Sequence, residues 1–493
     1  MMKSASILGR YGLFAASILF MTTAIGARPA SLLFNDDRGG SPQAVGLSGT
    51  GQIIALDPTK TYLVNTLTHK PVFITGEQAY NLNVELSANS DIDLYLSMRQ
   101  AQGFNFIWVG ATDMGNHDKA PNNGLGQAPF GATPFTGMNE AYFEHLDYVL
   151  QRAAAYGFEV LLMPAFVGSG PTYCSDSTGW CLELQGAANS DLTNFGIYLG
   201  NRYKSYPNII WVLGGDLDLV RFPGLKAKEQ AILNGILSVD HNHMVTCENE
   251  PGTTGFNSQD SWPAGTWNLD FFYHDIPSMA TDANAAWTRS DHLPTFLGED
   301  VLEGESGSPS NLGQRTEKYQ AVLGGVTLGF VFGNPVMWGF GFHYSGCSTC
   351  TSRTQWKTWF NTAGATASMY LGKLMRSREF WKMVPDTGHT VVTAGYGSGD
   401  TITVTSRASD GQTIIIYIPN GNAATLTVNM SKVTSSSNTA KCWWFNPSNG
   451  STASIGSFAN SGTRDFTPPD SSDWVLVIDD ADANLPAPGS ADL

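Results

Sequence analysis

The 493-residue sequence contains few charged residues, and basic residues are the scarcer kind. Charged residues make up 14% of the chain, with 27 Lys and Arg against 43 Asp and Glu. The formal net charge of −16 argues against nucleic acid or an anionic membrane as a partner, because both attract basic surfaces. It does not select a substrate.

Several catalytic signatures are also missing. The nine histidines form no His-Glu-x-x-His pattern or other zinc spacing, and there is no phosphate-binding Walker loop. The absence of a Gly-x-Ser-x-Gly motif argues against a serine hydrolase. We therefore expect neither a metal ion nor a cofactor.

Long apolar runs are absent except near the N-terminus. Residues 1–27 carry Lys3 and Arg10, an apolar run over 13–25 and then small residues, which is typical of a secretory signal peptide. A membrane anchor is the alternative, but the run is too short to favour it. We expect cleavage near Gly26 or Ala27 and a secreted protein, extracellular or periplasmic.

The six cysteines fit an oxidising compartment. Cys174 with Cys181, and Cys347 with Cys350, are expected to form local disulfides; a redox or zinc site at the Cys-x-x-Cys pair is the alternative. Cys247 and Cys442 either bridge two domains or stay free.

Aromatic residues and glycine are plentiful. Aromatics make up 11% of the chain, with 13 Trp, and there are 53 Gly. This mix is common in clefts that stack against sugar rings, although a Trp-rich core would give the same counts.

Eight short, continuously apolar runs alternate with helical patterns over residues 61–384. The runs are PVFITGEQ, FNFIWVGA, FEVLLMPAF, NIIWVLGGD, HMVTCENE, LDFFYHDI, PTFLGED and GFVFGNP. Such runs are typical of parallel strands covered on both faces. Eight units predict an α/β fold of the (β/α)8 TIM-barrel type, with a doubly wound open sheet as the alternative.

The chain on either side of the barrel has a different character. Residues 28–60 form a lead-in segment with a short strand pair at its end. Residues 385–480 alternate polar and apolar residues between Asp-Gly, Asn-Gly and Asn-Pro turns, which predicts an antiparallel β-sandwich. Adjacent Trp443 and Trp444 would face opposite sides of a strand, one in the core and the other available for sugar contact. Residues 481–493 are expected to be disordered.

Carboxylates follow the fourth and seventh runs, which lie nearly opposite each other in an eight-stranded ring. Asp216 follows two glycines in NIIWVLGGDLD, and Glu299 ends PTFLGED. Carboxylates at these strand ends would face each other across one sugar, as glycoside hydrolysis requires. For either acid alone, a salt bridge or a helix cap would be the favoured interpretation.

The sequence also resembles the apiosidase-like glycoside hydrolases of clan A, followed by a domain similar to the one loosely called collagen-binding. The resemblance covers about residues 61–479 and rests on GEQAYNL, DIDLYLSMRQAQGFN, NEAYFEHLDYVLQRAAAYG, YLGNRYKSYPNIIWVLGGD and PTFLGED. It implies that Asp216 is the acid/base and Glu299 the nucleophile. The strand ends GEQ and CENEPG depart from the family pattern.

These observations predict a retaining glycoside hydrolase acting on a plant or microbial polysaccharide or its oligosaccharides. Tyr273 is expected to form a hydrogen bond with the nucleophile, and Trp338 is expected to form an apolar platform under the sugar. Glu77, Asn249 and His274 are expected to bind hydroxyl groups. The alternatives are a noncatalytic glycan- or matrix-binding protein and an inverting hydrolase.

Overall fold

The computed structural model describes residues 52–114, 121–168, 174, 179–216, 218–219, 221–250, 262–274, 278–304, 310–341, 350–352, 354–422 and 425–493. The expected signal peptide and residues 28–51 of the lead-in segment lie outside these residues. The end of the lead-in segment forms the expected strands. β1 (Ile54–Leu56) pairs antiparallel with β2 (Leu63–Asn65), which pairs with β3 (Pro71–Val72).

Eight parallel strands form a nearly closed barrel, at the positions of the eight predicted runs. They are β4 (Ile74–Gln78), β5 (Phe106–Gly110), β6 (Glu159–Met163), β7 (Ile209–Gly214), β8 (Met244–Glu248), β9 (Asp270–Tyr273), β10 (Thr295–Glu299) and β11 (Gly329–Phe332). The hydrogen-bonded order is β8-β7-β6-β5-β4-β11-β10-β9. The first strand therefore pairs with the last, as a barrel requires and a doubly wound sheet does not.

The two strands at the ends of this order, β8 and β9, are joined through the residues that precede β9. The backbone amide of Asn268 donates to the Val245 carbonyl at 3.0 Å, and the Asn268 side chain accepts from the Val245 amide at 2.8 Å. The Thr246 hydroxyl donates to the Leu269 carbonyl at 2.9 Å. These bonds bridge the seam, so the ring of strands holds together without a regular ladder there.

Ten α-helices are described, and most cover the outside of the barrel. They are α1 (Leu82–Glu85), α2 (Asn89–Ala101), α3 (Glu140–Ala155), α4 (Cys181–Gly186), α5 (Asn189–Tyr203), α6 (Pro223–Leu237), α7 (Met279–Thr288), α8 (Asn311–Gly324), α9 (Pro335–Trp338) and α10 (Ala363–Arg376). Helix α10 begins at Ala363 because the Thr362 side chain caps its N-terminus, accepting from the Ala365 amide.

Among the described residues, none of the helices has the length and apolar character needed to cross a membrane. Short 3₁₀ helices occupy Gln355–Thr358, Phe380–Lys382, Gly399–Thr401, Met430–Lys432 and Ala481–Ala483.

The lead-in strands lie at the N-terminal end of the barrel. Ile54 and Leu63 belong to the same buried cluster as the interior side chains of the strands, such as Phe106. The Ile53 amide donates to the carbonyl of Pro207, two residues before β7, at 2.8 Å. Because one end is covered in this way, the polar residues of the opposite, C-terminal end form the candidate site.

Residues after the barrel form the expected β-sandwich. Its strands are β12 (Met383–Pro385), β13 (Val392–Ala394), β14 (Val404–Ala408), β15 (Thr413–Ile418), β16 (Leu426–Asn429), β17 (Thr439–Phe445), β18 (Thr452–Ala459), β19 (Thr463–Phe466) and β20 (Trp474–Asp480). A six-stranded sheet, β12-β14-β15-β20-β17-β18, packs on a three-stranded sheet, β13-β16-β19. Trp444 lies in the core between the sheets, as expected for one of the two tryptophans.

The large sheet of the sandwich is also covered on its other face, by barrel helices. Tyr417 of β15 stacks on Tyr319 of α8, with ring centroids 4.6 Å apart. Trp443, the other of the two tryptophans, packs against the apolar cluster that contains Tyr319 and Tyr417. This placement favours a structural role for Trp443, because its ring faces the barrel.

The final residues contact the barrel, contrary to the expectation of a disordered tail. The Leu493 amide donates to the Arg376 carbonyl at 3.0 Å, and the Gly489 amide donates to the Ser377 hydroxyl at 2.8 Å. Arg376 also pairs with Asp492 at 3.1 Å. The compositional signal was misleading because these bonds hold an otherwise polar, Pro-containing segment against α10.

The cysteine predictions are confirmed where the structure describes them. Cys174 and Cys181 form a disulfide. Cys350 is disulfide-bonded, and its expected partner Cys347 lies outside the described residues. Cys247 in β8 and Cys442 in β17 are buried and form no disulfide, so they do not bridge the barrel and the sandwich.

A buried ion pair joins the two domains. The Arg378 guanidinium, which follows α10, donates to both carboxylate oxygens of Asp479 at 2.9 and 2.8 Å, and both side chains are almost fully buried. We expect Arg378→Met to lower the free energy of unfolding by about 3–5 kcal/mol, because it leaves a buried carboxylate unpaired. Urea unfolding measures this effect.

The control for this prediction is Lys382→Met, which removes the more exposed pairs to Glu379 and Asp410. It should cost no more than about 1 kcal/mol. The double variant Arg378→Met/Asp479→Leu should recover much of the loss, since neither charge remains buried alone. Equal losses in Arg378→Met and Lys382→Met would contradict the assignment.

Candidate active site

A turn that only glycine accommodates follows strand β7. Gly214 and Gly215 have φ angles of +91° and +154°. A Cβ atom on Gly214 would lie 2.2 Å from the Glu248 carbonyl oxygen, and one on Gly215 would lie 3.0 Å from the Phe166 ring. The two glycines therefore let the backbone turn in a crowded space. They place the half-buried Asp216 at the C-terminal end of the barrel.

A buried carboxyl group supports this turn from behind. Oε2 of Glu229, in α6, accepts a hydrogen bond from the Gly214 amide at 3.0 Å. Complete burial raises the pKa of Glu229 to about 8, an effect that the bond from Gly214 partly offsets. Glu229 is thus protonated in the folded protein at neutral pH, where an unfolded chain would ionise it.

This proton makes stability depend on pH. Between pH 4.5, the ordinary pKa of Glu, and about 8, only the folded state keeps the proton. The contribution of Glu229 to unfolding free energy is therefore fully present below pH 4.5. It falls by roughly 1.4 kcal/mol per pH unit as the pH rises through this window.

We expect Glu229→Gln to remove this part of the pH dependence. Urea unfolding of the wild type and the variant at pH 5, 6, 7 and 8 measures it. The stability of the variant relative to the wild type should rise steadily with pH. A difference that is constant over this range would show that Glu229 does not hold the proton.

Strand β10 contains a β-bulge immediately before its terminal carboxylate. Leu297 pairs with Phe272 of β9, and Glu299 pairs with the next residue, Tyr273, so Gly298 is the extra residue. Leu297 and Phe272 pack outward against the helices, whereas Tyr273 belongs to the interior cluster. The bulge therefore turns Glu299 towards the inside of the barrel. Gly298 is required there, because a Cβ atom would lie 2.2 Å from the Phe271 ring.

Two side chains from the first barrel strand and its following turn hold Glu299. The Gln78 amide donates to Oε2 of Glu299 at 2.9 Å, and the Tyr80 hydroxyl donates to the same oxygen at 2.5 Å. Donors of this kind stabilise the ionised form of a carboxyl group. Burial and the nearby carboxyls of Glu299 and Glu248 raise the pKa of Tyr80, so its hydroxyl remains a donor.

A third carboxyl group, that of Glu248 at the end of β8, lies beside the other two. Burial raises its pKa, and the charges of Glu299 and Asp216 raise it further. Since Glu248 interacts electrostatically with both, the acid that follows β7 and the acids at the ends of β8 and β10 converge at one end of the barrel. Among the described residues, no group of three or more His, Cys, Asp and Glu side chains could hold a metal ion.

Other residues expected at the site lie near this cluster. Tyr273 pairs with Glu299 across β9 and β10. The Trp338 ring lies 5.9 Å from the Tyr80 ring, between centroids. Asn249 directly follows β8 and is 1% exposed. The substrate contacts expected for Tyr273, Trp338 and Asn249 stay predictions.

The structure places Glu77 away from the site, which corrects its expected role. Glu77 points outward from β4, where its carboxylate forms a fully buried ion pair with Arg99 of α2. The Arg99 Nε donates to Glu77 Oε2 at 2.6 Å, and the Tyr95 hydroxyl donates to the same oxygen at 2.7 Å. The neighbouring Gln78 faces the interior instead, because side chains alternate along a strand.

The structure also corrects the role expected of His274. Its Nε2 lies 2.8 Å from a carboxylate oxygen of Asp282 in α7, and its ring stacks on Phe272. Phe272 packs on the helix side of the barrel. His274 therefore contacts the surrounding helix rather than the position expected for a sugar hydroxyl.

Sequence reasoning assigned no role to three residues of the cluster, namely Gln78, Tyr80 and Glu248. All three stand within or next to the predicted strand ends GEQAY and CENE. Counting alternate residues from a known interior position would have selected Gln78 over Glu77 and Glu248 over Cys247. The sequence does not show which residues of a strand face the interior, because both faces of each strand are apolar.

Two family models match consecutive parts of the chain. A family model described as "Apiosidase-like, catalytic domain" matches residues 58–382. A second model, described as "Putative collagen-binding domain of a collagenase", matches residues 384–479. No curated protein matches the chain.

Solved structures share the fold. A glycoside hydrolase family 5 protein from Bacteroides vulgatus is 20% identical, with a TM-score of 0.73, over 87% of this chain and 93% of that one. A structure described as a glycoside hydrolase is 19% identical, with a TM-score of 0.71, over 87% of this chain and 97% of that one. The match over residues 58–382 shows that the chain belongs to the apiosidase-like family and contains its glycoside hydrolase catalytic domain.

Proposed function

We propose that the protein is a secreted, retaining glycoside hydrolase that acts on a plant or microbial polysaccharide or its oligosaccharides. The observation that carries the proposal is the convergence of acids at the C-terminal end of the barrel. Glu299 is held there by Gln78 and Tyr80, and Asp216 follows a glycine turn. The N-terminal signal pattern supports secretion.

In the first step, a carboxylate oxygen of Glu299 attacks the anomeric carbon while the glycosidic C–O bond breaks. Asp216 gives its proton to the leaving oxygen. The product is a covalent glycosyl-enzyme, with the sugar attached to Glu299. Gln78 and Tyr80 both donate hydrogen bonds to Oε2 of Glu299. They therefore orient the carboxylate and keep it ionised until it attacks.

In the second step, Asp216 removes a proton from a water molecule, which attacks the anomeric carbon. The bond to Glu299 breaks, and Asp216 is again protonated. One residue therefore serves as acid and then as base. Two inversions leave the configuration at the anomeric carbon unchanged, whereas an inverting enzyme would reverse it.

Two linked experiments test this proposal. A panel of plant and bacterial polysaccharides is screened for released reducing sugar, which identifies a substrate. Proton NMR of the first sugar formed from that substrate then gives its anomeric configuration, before mutarotation. We expect retention, with the two carboxyl groups about 5–5.5 Å apart. An inverted first product would refute the double displacement, and absence of hydrolysis with persistent sugar binding would favour a noncatalytic glycan-binding protein.

A further inference from the structure

One carboxyl group at the candidate site has no task in the double displacement. Glu248 is 1% exposed, and its Oε2 has no hydrogen-bond partner among the described residues. Val245 and Cys247 pack outward, whereas Met244 packs against the interior cluster. Glu248 shares the face of Met244, so it points into the C-terminal end of the barrel.

The groups around Glu248 disfavour a negative charge on it. Burial raises the pKa of Glu248, and the carboxyl groups of Glu299, at the end of β10, and Asp216, after β7, raise it further. Tyr80, in the turn after β4, is close enough for Glu248 to raise its pKa. Within the part of the chain that the structure describes, no basic residue is among the groups that shift the pKa of Glu248. A neutral carboxyl group carries one O–H donor and one C=O acceptor, so Glu248 requires a partner that can both accept and donate.

We propose that Glu248 binds a hydroxyl group of a neutral sugar in the subsite next to the scissile bond. This inference rests on the proposed function and adds the chemical class of the sugar. A sugar hydroxyl both donates and accepts, so it satisfies a buried carboxyl group that would otherwise be desolvated without a partner. A uronate or sulfated sugar would bring a negative charge next to Asp216 and Glu299, and is therefore excluded from this subsite.

Two substitutions at Glu248 separate hydrogen bonding from shape. Glu248→Gln keeps a donor and an acceptor in place of the neutral acid, and Glu248→Leu keeps a similar volume with neither. The matched control is Glu159→Gln at the opposite, N-terminal end of β6. Glu159 is also buried, its two oxygens have no partner among the described residues, and burial raises its pKa.

Sugar binding is measured by saturation-transfer NMR with a panel of neutral pentoses and hexoses, alongside their uronic acids. We expect the wild type, Glu248→Gln and Glu159→Gln to bind the same sugar with similar affinity. Glu248→Leu should bind it roughly ten- to a hundredfold more weakly. The uronic acid should not compete. Thermal unfolding of each variant checks that it is folded.

Two further measurements keep the test decisive if Glu248→Leu does not fold. Removing the contacted hydroxyl from the sugar should weaken binding to the wild type and to Glu248→Gln alike. Raising the pH should ionise Glu248 and weaken wild-type binding, while Glu248→Gln should lose less. Equal alkaline losses in the two proteins, or full binding by a folded Glu248→Leu, would overturn the inference.

The role of Glu248 and the proposed hydrolase function can be refuted separately. If the wild type binds neutral sugars through Glu248 but hydrolyses no glycoside, the proposed function fails and the role of Glu248 stands. If hydrolysis proceeds with retention and Glu248→Leu does not change the KM, the role of Glu248 fails and the proposed function stands. If the wild type binds none of the neutral sugars, the inference is wrong.

Discussion

Glu299→Gln should abolish turnover of glycosides while leaving the protein folded. The amide keeps the size of the side chain but has no negative charge with which to attack the anomeric carbon. The loss of kcat should exceed the ~10²–10⁴-fold effect that removal of an acid/base group causes. Hydrolysis of the identified substrate measures it, together with the thermal unfolding midpoint.

A covalent trap gives an independent check on Glu299. A 2-deoxy-2-fluoro glycoside with an activated leaving group should add the mass of one sugar to the wild type, and peptide mapping should place it on Glu299. Glu144→Gln, an exposed position on α3, serves as the control and should keep both turnover and labelling. Substantial activity in Glu299→Gln, or a label on Glu248 instead, would remove the nucleophile assignment.

Asp216→Ala should produce losses that depend on the leaving group. Glycosides with poor leaving groups need a proton in the first step, so their kcat/KM should fall by about 10²–10⁴-fold. Activated aryl glycosides need little protonation and should lose much less in that step. The covalent intermediate should then accumulate, because water has lost its base, and external azide should restore turnover as the glycosyl azide forms.

The matched control for this prediction is Asp218→Ala, two residues along the same segment. The Asp218 carboxylate accepts from the Arg221 amide at 3.0 Å, which is a local structural bond. Its removal should leave the dependence on the leaving group as in the wild type. Equal losses on good and poor leaving groups in Asp216→Ala, with no effect of azide, would refute the acid/base role.

The elements that the sequence predicted well are those that local chemistry determines. The eight apolar runs appear as the eight barrel strands, and the Asp-Gly and Asn-Gly turns mark the sandwich, because strand burial and turn geometry depend on neighbouring residues. The Cys174–Cys181 disulfide spans a short loop. Asp216 could be singled out because two glycines before a carboxylate, at the end of an apolar strand, indicate a forced turn.

Only the tertiary structure decided which side of each strand faces the site. All five residues of β4 are buried, so the sequence does not show that Gln78 points inward and Glu77 outward to Arg99. The direction of the Glu299 side chain depends on the bulge at Gly298, which shifts the alternation of inward and outward side chains by one residue. Packing against the Phe271 ring and the register with β9 fix that bulge, and neither can be read from the local sequence. The sequence determined which strands end in acids, but long-range packing determined which of those acids meet.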